Sequence, residues 1–510
     1  MLLFQLFMFK RGRCMTSTGT NRARTRKILF GSLLLVVLSL APASRSRASS
    51  GGNGGTIPFL VQSKVALTPN VVAAIGSHVV QVTYIWPEIN AMAVKVNPSK
   101  FLELASDPLV ALVEADEQGQ APGESSDGAA GVAAPSVVVP LPDSSATIQT
   151  WNQDMADTPG TGFDGTGVTV AVVDSGLPQN WEEFLPPGTV VDTEHAAGFG
   201  AEGWGDFHSP VNAVRGVGGH IGLFPHGLAV SSVILGFPSE LGAIGGAAPA
   251  VTILPVRVLN QFNFGWFSWF TAGILHVGRL KAEGALPGPV VINFSIQATG
   301  NSIILKSAID YAISQGVLFV TIAGNFGPSM GSIAFPGRLP ESITAGAAGW
   351  RSEGCIPPVC TSPWFFADVP ENDPSQVYVA TFSGREASPP PSPTTIDVLA
   401  PGSFVFGEWL FGPGFSEGRE VAFDAVDNFI FGTSFAAPHV AGIVAQMLEK
   451  NPSLTQSQAE GILRSTALTI PTAPGGAFTP FQFVFPWDTN ATGSGLARGA
   501  AAVAATPPAP

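Results

Sequence analysis

Three side chains stand out as suited to joint chemistry, each set among small residues beside an apolar element. Asp174 ends the β-branched run Val168-Thr169-Val170-Ala171-Val172-Val173 and is followed by Ser175-Gly176. A carboxylate at the carboxyl end of a buried strand faces a crevice. His226 begins a segment in which Val230, Val233 and Ile234 fall on its own helical face. His208 and His220 have no such pattern after them. Ser434 lies in Gly432-Thr433-Ser434-Phe435-Ala436-Ala437-Pro438-His439, ahead of Val440, Ile443, Val444 and Met447 at helical spacing. Pro438 is expected in the first helical turn, where a missing N–H costs nothing. Ser434 then sits at a helix N-terminus, where N–H groups and the dipole favour negative charge. That is a place for an acyl-transfer nucleophile and its oxyanion. Asn325 closes Val317-Leu318-Phe319-Val320-Thr321-Ile322-Ala323-Gly324, and its carboxamide can donate to a developing oxyanion. Taken singly, these residues also suit a turn, a core histidine, a helix cap and a turn asparagine.

Together, in the order Asp, His, Asn, Ser, these motifs resemble the subtilisin-like serine proteases, the subtilases. The resemblance extends from about residue 151 to 505. It includes the run Gly246-Ala247-Ala248-Pro249, the cleft-strand motif Val291-Ile292-Asn293-Phe294-Ser295 and the segment Ile333-Ala334-Phe335-Pro336-Gly337. Thr381-Phe382-Ser383-Gly384 and Asp397-Val398-Leu399-Ala400-Pro401-Gly402 also stand in the family's order. It implies an α/β fold with a doubly wound, mostly parallel sheet and helices on both faces. It implies a catalytic triad of Asp174, His226 and Ser434, with Asn325 and the Ser434 N–H as oxyanion donors. Ser295, Ile296, Gln297, Ala323 and Gly324 would line the substrate cleft. The sequence departs from the family pattern at Leu228, after His226-Gly227, and at Ile296-Gln297, where Gln297 leaves the shape of the adjacent pocket open. Phe435 replaces the commoner Met.

Composition agrees with an exported, loop-rich enzyme. Charged residues make up 12% of 510 residues, with Gly 59 and Pro 44. Residues 1–50 hold nine Lys or Arg and no Asp or Glu, so residues 51–510 carry 15 basic and 37 acidic side chains, a net charge of −22. Such a balance argues against nucleic acid or an anionic membrane as partner. Arg22, Arg24, Arg26 and Lys27 precede a 13-residue apolar run over 28–40, then small residues. This reads as a secretory signal peptide over 1–48, too short to span a membrane. Of the three cysteines, Cys14 departs with that segment, and Cys355 and Cys360 are candidates for a disulfide. Two cysteines fall short of a zinc site. No cofactor is required; structural calcium, frequent in the family, is allowed for, although no Asp-rich ligand loop is apparent.

The elements needed to position the site follow from periodicity. Strands are expected over 168–173, 253–258, 290–294, 317–322 and 343–347, with helices over 302–315 and 440–450. The order strand, helix, strand, strand, helix, strand over 57–113 is ferredoxin-like. Placed before the catalytic domain, residues 56–118 look like the family's inhibitory propeptide. Residues 119–145, rich in Gly, Ala, Pro and Ser, read as a linker, and 146–505 as the catalytic domain. Loop insertions are expected at 178–225 and 349–378, and fraying over 500–510. The expectation is an extracellular monomeric endopeptidase acting on protein or peptide substrates, with its own propeptide as inhibitor. The rival readings are a non-catalytic protein on this scaffold, an esterase and a serine-carboxyl peptidase. An esterase would normally show Gly-x-Ser-x-Gly, where this chain has Ala436; a serine-carboxyl peptidase would lack the His226 motif.

Overall fold

The computed structural model describes residues 55–122 and 147–509, except 179, 203–204, 207–225, 240–241, 261, 356–363, 367, 392–393, 409–428 and 481. The expected signal segment, most of the expected linker, His208, His220 and Cys360 lie outside the described residues.

Among the described residues a nine-stranded sheet organises the fold. Thr169–Asp174 lies at its centre, with Thr252–Arg257 on one side and Val290–Phe294, Val317–Ile322 and Ile343–Trp350 in succession on the other. These strands are parallel, as are Val398–Pro401 beside Ile343–Trp350 and the short pieces Val190–Val191 and Ala197–Gly198 beside Thr252–Arg257. Val377–Val379 is an antiparallel edge, so part of the expected 349–378 insertion belongs to the sheet. The chain leaves the central strand toward one edge and later returns to its other side. A crevice opens at the carboxyl end of such a switch point, and Asp174 occupies that end.

The strands are apolar on both faces because each face has its own core. Val170 and Val172 pack with Val230, Ile234, Val440 and Val444 from the helices His226–Leu235 and Thr433–Lys450. Ala171 and Val173 pack with Phe270, Ile274 and Ile309 from the helices Phe267–Ala282 and Ile303–Ser314. The 16-residue helix Phe267–Ala282 was not anticipated from periodicity, and neither was Gln456–Thr466, which begins with a capping box of Thr455 and Gln458. The chain end differs from expectation as well. Gly499–Ala505 is a helix with Ala502 and Val503 buried, and Lys450 Nζ donates to the Val503 carbonyl at 2.7 Å.

Ahead of this sheet, strands Ile57–Ser63, Gln81–Trp86, Ala91–Val96 and Val110–Ala115 form a separate antiparallel sheet. One of its faces covers its own helices through Val61, Ile75, Met92, Val94 and Leu104. The opposite face, with Leu60, Trp86, Ala91 and Ala93, joins the core of helices Phe267–Ala282 and Ile303–Ser314. Two carboxylates, Glu114 in the last strand of this sheet and Asp116 just after it, cap those helices. Glu114 accepts from Ile303 N at 3.0 Å and Ile304 N at 3.2 Å, and Asp116 accepts from Ser268 N at 2.9 Å. Both meet the positive ends of helix dipoles.

One buried acid reports on the packing at the sheet edge. Glu353 is fully buried; the Tyr378 hydroxyl donates toward its two oxygens at 2.7 Å, and Gln482 Nε2 donates to one at 3.0 Å. Burial pushes the Glu353 carboxyl up to about 8, although these hydrogen bonds act in the opposite direction. Its folded value lies above its ordinary one, so its contribution to stability is full below the ordinary value and is lost as pH rises through about 8. Denaturant unfolding from pH 5 to 9 is expected to show a loss of up to about 1.4 kcal/mol per pH unit from this group. Glu353→Gln is expected to flatten that slope.

Candidate active site

His226 opens its helix directly over the end of the central strand. Its Nδ1 donates to both Asp174 oxygens at 2.9 Å, and Asp174 Oδ1 also accepts from Ser175 N at 2.6 Å. Both partners are buried, at 1% and 0% exposure, so each charge or dipole must be satisfied within the site. Ser175 Oγ accepts from Gly227 N at 2.9 Å. A Cβ on Gly227 would stand 2.6 Å from the Gly176 carbonyl oxygen, so only glycine lets the helix seat on this turn. With Nδ1 holding the proton, Nε2 keeps a lone pair, and among the described residues it has no hydrogen-bond partner. Phe435 packs beside the imidazole, ring centroids 5.6 Å apart. Leu228 lies in the core.

Ser434 is the second residue of the helix Thr433–Lys450, which starts earlier than the expected 440. Pro438 is therefore inside the helix and not in its first turn. It has no N–H for the carbonyl four residues back, which is that of Ser434. Ser295 supplies the missing donor: its Oγ donates to the Ser434 carbonyl at 2.9 Å. Asn293 Nδ2 in turn donates to Ser295 Oγ at 2.9 Å. Ser434 Oγ donates to the Ser295 carbonyl at 3.4 Å, a long contact that leaves the hydroxyl weakly held. The cleft strand and the serine are thus joined in both directions.

Asn325 uses the two ends of its carboxamide differently. Oδ1 accepts from Thr433 N at 3.0 Å and Thr433 Oγ1 at 2.7 Å, capping the serine helix from outside. Nδ2 is buried and has no hydrogen-bond partner among the described residues. Gly432 has φ +145°, and a Cβ there would lie 3.2 Å from Asn325 Nδ2 and 3.6 Å from Ser434 N. The space left by the missing side chain is bounded by two N–H donors, a geometry that can hold an oxyanion.

The residues expected to line a cleft form the opposite wall. Asn325 N donates to Gln297 Oε1 at 2.7 Å, so the Gln297 side chain lies toward the Gly324-Asn325 turn. Ser295, Ile296 and Ala323 are buried, and Gly324 has φ +86° with Ala334 packed against it. Residues at the start of the expected linker occupy this cleft. Gln120 and Gln297 exchange both backbone hydrogen bonds, at 2.9 and 2.8 Å, and Gln118–Gln120 pairs antiparallel with Phe264–Trp266 on its other side. Residues 119–121 are therefore held in the cleft by backbone pairing. Sequence reading missed this strand because its three residues, Gln, Gly and Gln, carry no strand periodicity. It also passed over His439, which donates from Nδ1 to the Phe435 carbonyl at 2.7 Å and accepts at Nε2 from Asn152 Nδ2 at 3.0 Å. Burial holds the His439 imidazole down at about 4, so it stays neutral and ties the first turns of the serine helix to Asn152.

Cys355 is disulfide-bonded. Among the described residues no three His, Cys, Asp or Glu side chains converge to hold a metal ion, so the residues present do not fit a calcium site built from such groups. No helix of the described residues is long and apolar enough to cross a membrane.

A family model described as the Subtilase family matches residues 165–498. Subtilisin amylosacchariticus of Bacillus subtilis subsp. amylosacchariticus is 26% identical over 383 residues, 74% of this chain and 76% of its own length. A subtilisin of Bacillus sp. (strain TA39) is 28% identical over 247 residues, 48% of this chain and 50% of its own length. Among solved structures, fervidolysin from Fervidobacterium pennivorans, a keratinolytic enzyme related to subtilisin, superposes with a TM-score of 0.58 at 22% identity. The match covers 90% of this chain and 63% of that one, and at this identity it is a likeness of fold. The chain thus spans between half and three quarters of the length of these relatives.

The exchange between Ser295 and Pro438 has a measurable consequence. Ser295→Ala leaves the Ser434 carbonyl buried without a donor, at an expected cost of about 1–3 kcal/mol. Pro438→Ala returns a helix N–H to that carbonyl, so the double variant is expected to recover much of the loss in denaturant unfolding. Strict additivity of the two changes would show that the groups do not share this acceptor.

Proposed function

The chain belongs to the subtilase family of serine endopeptidases, and on that premise we propose that it is a secreted endopeptidase made as a zymogen, with Ser434 as nucleophile. The observation that carries this reading is the buried His226, with Nδ1 on both Asp174 oxygens and Nε2 without a partner. In this reading Ser434 Oγ attacks the peptide carbonyl while His226 Nε2 takes its proton. The same nitrogen then protonates the leaving amine. Asp174 stays ionised, fixes the imidazole orientation and stabilises the imidazolium. Asn325 Nδ2–H and the Ser434 N–H receive the negative charge that develops on the carbonyl oxygen. Water, deprotonated by His226, releases the acyl group from Ser434 and restores the enzyme.

The zymogen part of the reading is supported by the strand in the cleft. Residues 118–121 run antiparallel to Gln297, as an extended substrate would, and they follow the four-stranded sheet whose carboxylates cap two catalytic-domain helices. In this role, residues 56–118 dock on the two helices and hold 119–121 in the cleft until a cut frees it. Export is supported by the basic and apolar pattern of residues 1–50.

Wild type is expected to hydrolyse casein and to lose its N-terminal segment, read as intact mass of protein secreted from a host lacking extracellular proteases. Ser434→Ala is expected to do neither, since one Oγ is removed with little change in packing. Efficient trimming of Ser434→Ala would remove self-processing from the account.

Asn325→Asp separates capping from catalysis. It keeps an oxygen for Thr433 and replaces the Nδ2 donor by an acceptor. Turnover is expected to fall by about 10²–10³ or more, with the KM little changed. A change confined to KM would contradict the oxyanion role.

A further inference from the structure

The strand in the cleft turns alternate residues inward: Gly119 and Ala121 are buried, and Gln118 is exposed. Gly119 pairs with Gly265, and the ring of Phe270 stands against both. A Cβ on Gly119 would lie 2.8 Å from Phe270 Cε2 and 3.0 Å from the Gln297 carbonyl oxygen. A Cβ on Gly265 would lie 2.5 Å from Cε1 of the same ring. Carbon atoms pack at about 3.5–4.0 Å, so neither position has room for a side chain. The need at Gly119 is for space and not for backbone freedom, because it is absent from the glycines with positive φ. Nor is the ring free to swing away. Phe270 is 1% exposed, meets Phe294 edge-on with centroids 5.6 Å apart, and packs on Phe267 at 6.2 Å.

Register fixes where this closed position stands relative to the serine. Gln120 lies opposite Gln297, so continuing the antiparallel pairing brings Pro122 opposite Ser295, whose carbonyl is the acceptor of Ser434 Oγ. The carbonyl nearest Ser434 is then that of Pro122, and Gly119 is the fourth residue before the bond that follows it. We propose that Phe270 fills the cleft at this fourth position and makes the enzyme select protein segments that carry glycine there. This inference rests on the protease reading of Ser434 and adds a specificity-determining residue to it. The substrate class is an extended, glycine-containing segment, and a branched or aromatic residue at that position is rejected on steric grounds.

The test begins with secreted wild-type protein and a peptide library randomised over eight positions, with products sequenced. Glycine is expected to be enriched at the fourth residue before the cut. Two peptides differing only by Gly→Leu at that position are expected to differ by at least about 10-fold in kcat/KM, because the leucine must displace a packed ring. Phe270→Leu and Phe270→Ala are both made, so that one misfolded variant does not end the test, and each is expected to bring the pair toward parity. Equal cutting of the two peptides by wild type overturns the proposal while leaving the protease reading intact. Unchanged preference in a folded Phe270 variant also overturns it. If wild type cuts no library peptide and no casein, the protease reading falls, and this inference falls with it.

Discussion

The buried contact between His226 and Asp174 sets the terms for the structure around it. A carboxylate with no exposure is costly unless every lone pair has a use. Here the two oxygens receive the imidazole N–H, and one also receives the Ser175 N–H. To bring these groups together, a strand must end and a helix must begin at one point. The switch in strand order at Thr169–Asp174 provides the end, and the absent side chain of Gly227 lets the helix approach. The sheet has to be apolar on both faces to hold this point rigidly, which is why helices cover both sides.

The serine is held by a different device. A proline inside its helix leaves one carbonyl without its usual donor, and a hydroxyl from the neighbouring cleft strand takes that place. An asparagine from a second strand caps the same helix with its oxygen and keeps its nitrogen buried and unpartnered. Two strand ends are thereby tied to the first turn of one helix. A small shift in either of them moves Ser434 relative to the His226 imidazole, and in the proposed mechanism positioning of this kind governs rate steeply.

Much of this was legible in sequence where packing and chemistry make the same demand. Val170, Val172 and their neighbours read as a strand because both faces are buried, and Asp174, His226, Asn325 and Ser434 stand at the ends of such elements. The helix Phe267–Ala282 was hidden because Phe267, Trp269 and Phe270 surround its first turn, blurring the amphipathic stripe. The start of the serine helix was misplaced because Pro438 suggested a first turn, although the Ser295 hydroxyl makes an interior proline tolerable. Residues 119–121 read as linker because their ordering comes from the cleft walls and not from their own periodicity. That kind of order is tertiary and leaves no local pattern.

The central claim is that Ser434, activated by His226, is the nucleophile. The most direct measurement is mass mapping of a serine-directed sulfonyl fluoride on the secreted protein, followed against casein hydrolysis. One adduct per molecule, on Ser434, with activity falling in step and with labelling lost in folded His226→Ala, is the predicted result. Full activity after complete labelling of Ser434, or undiminished labelling in His226→Ala, would contradict the account.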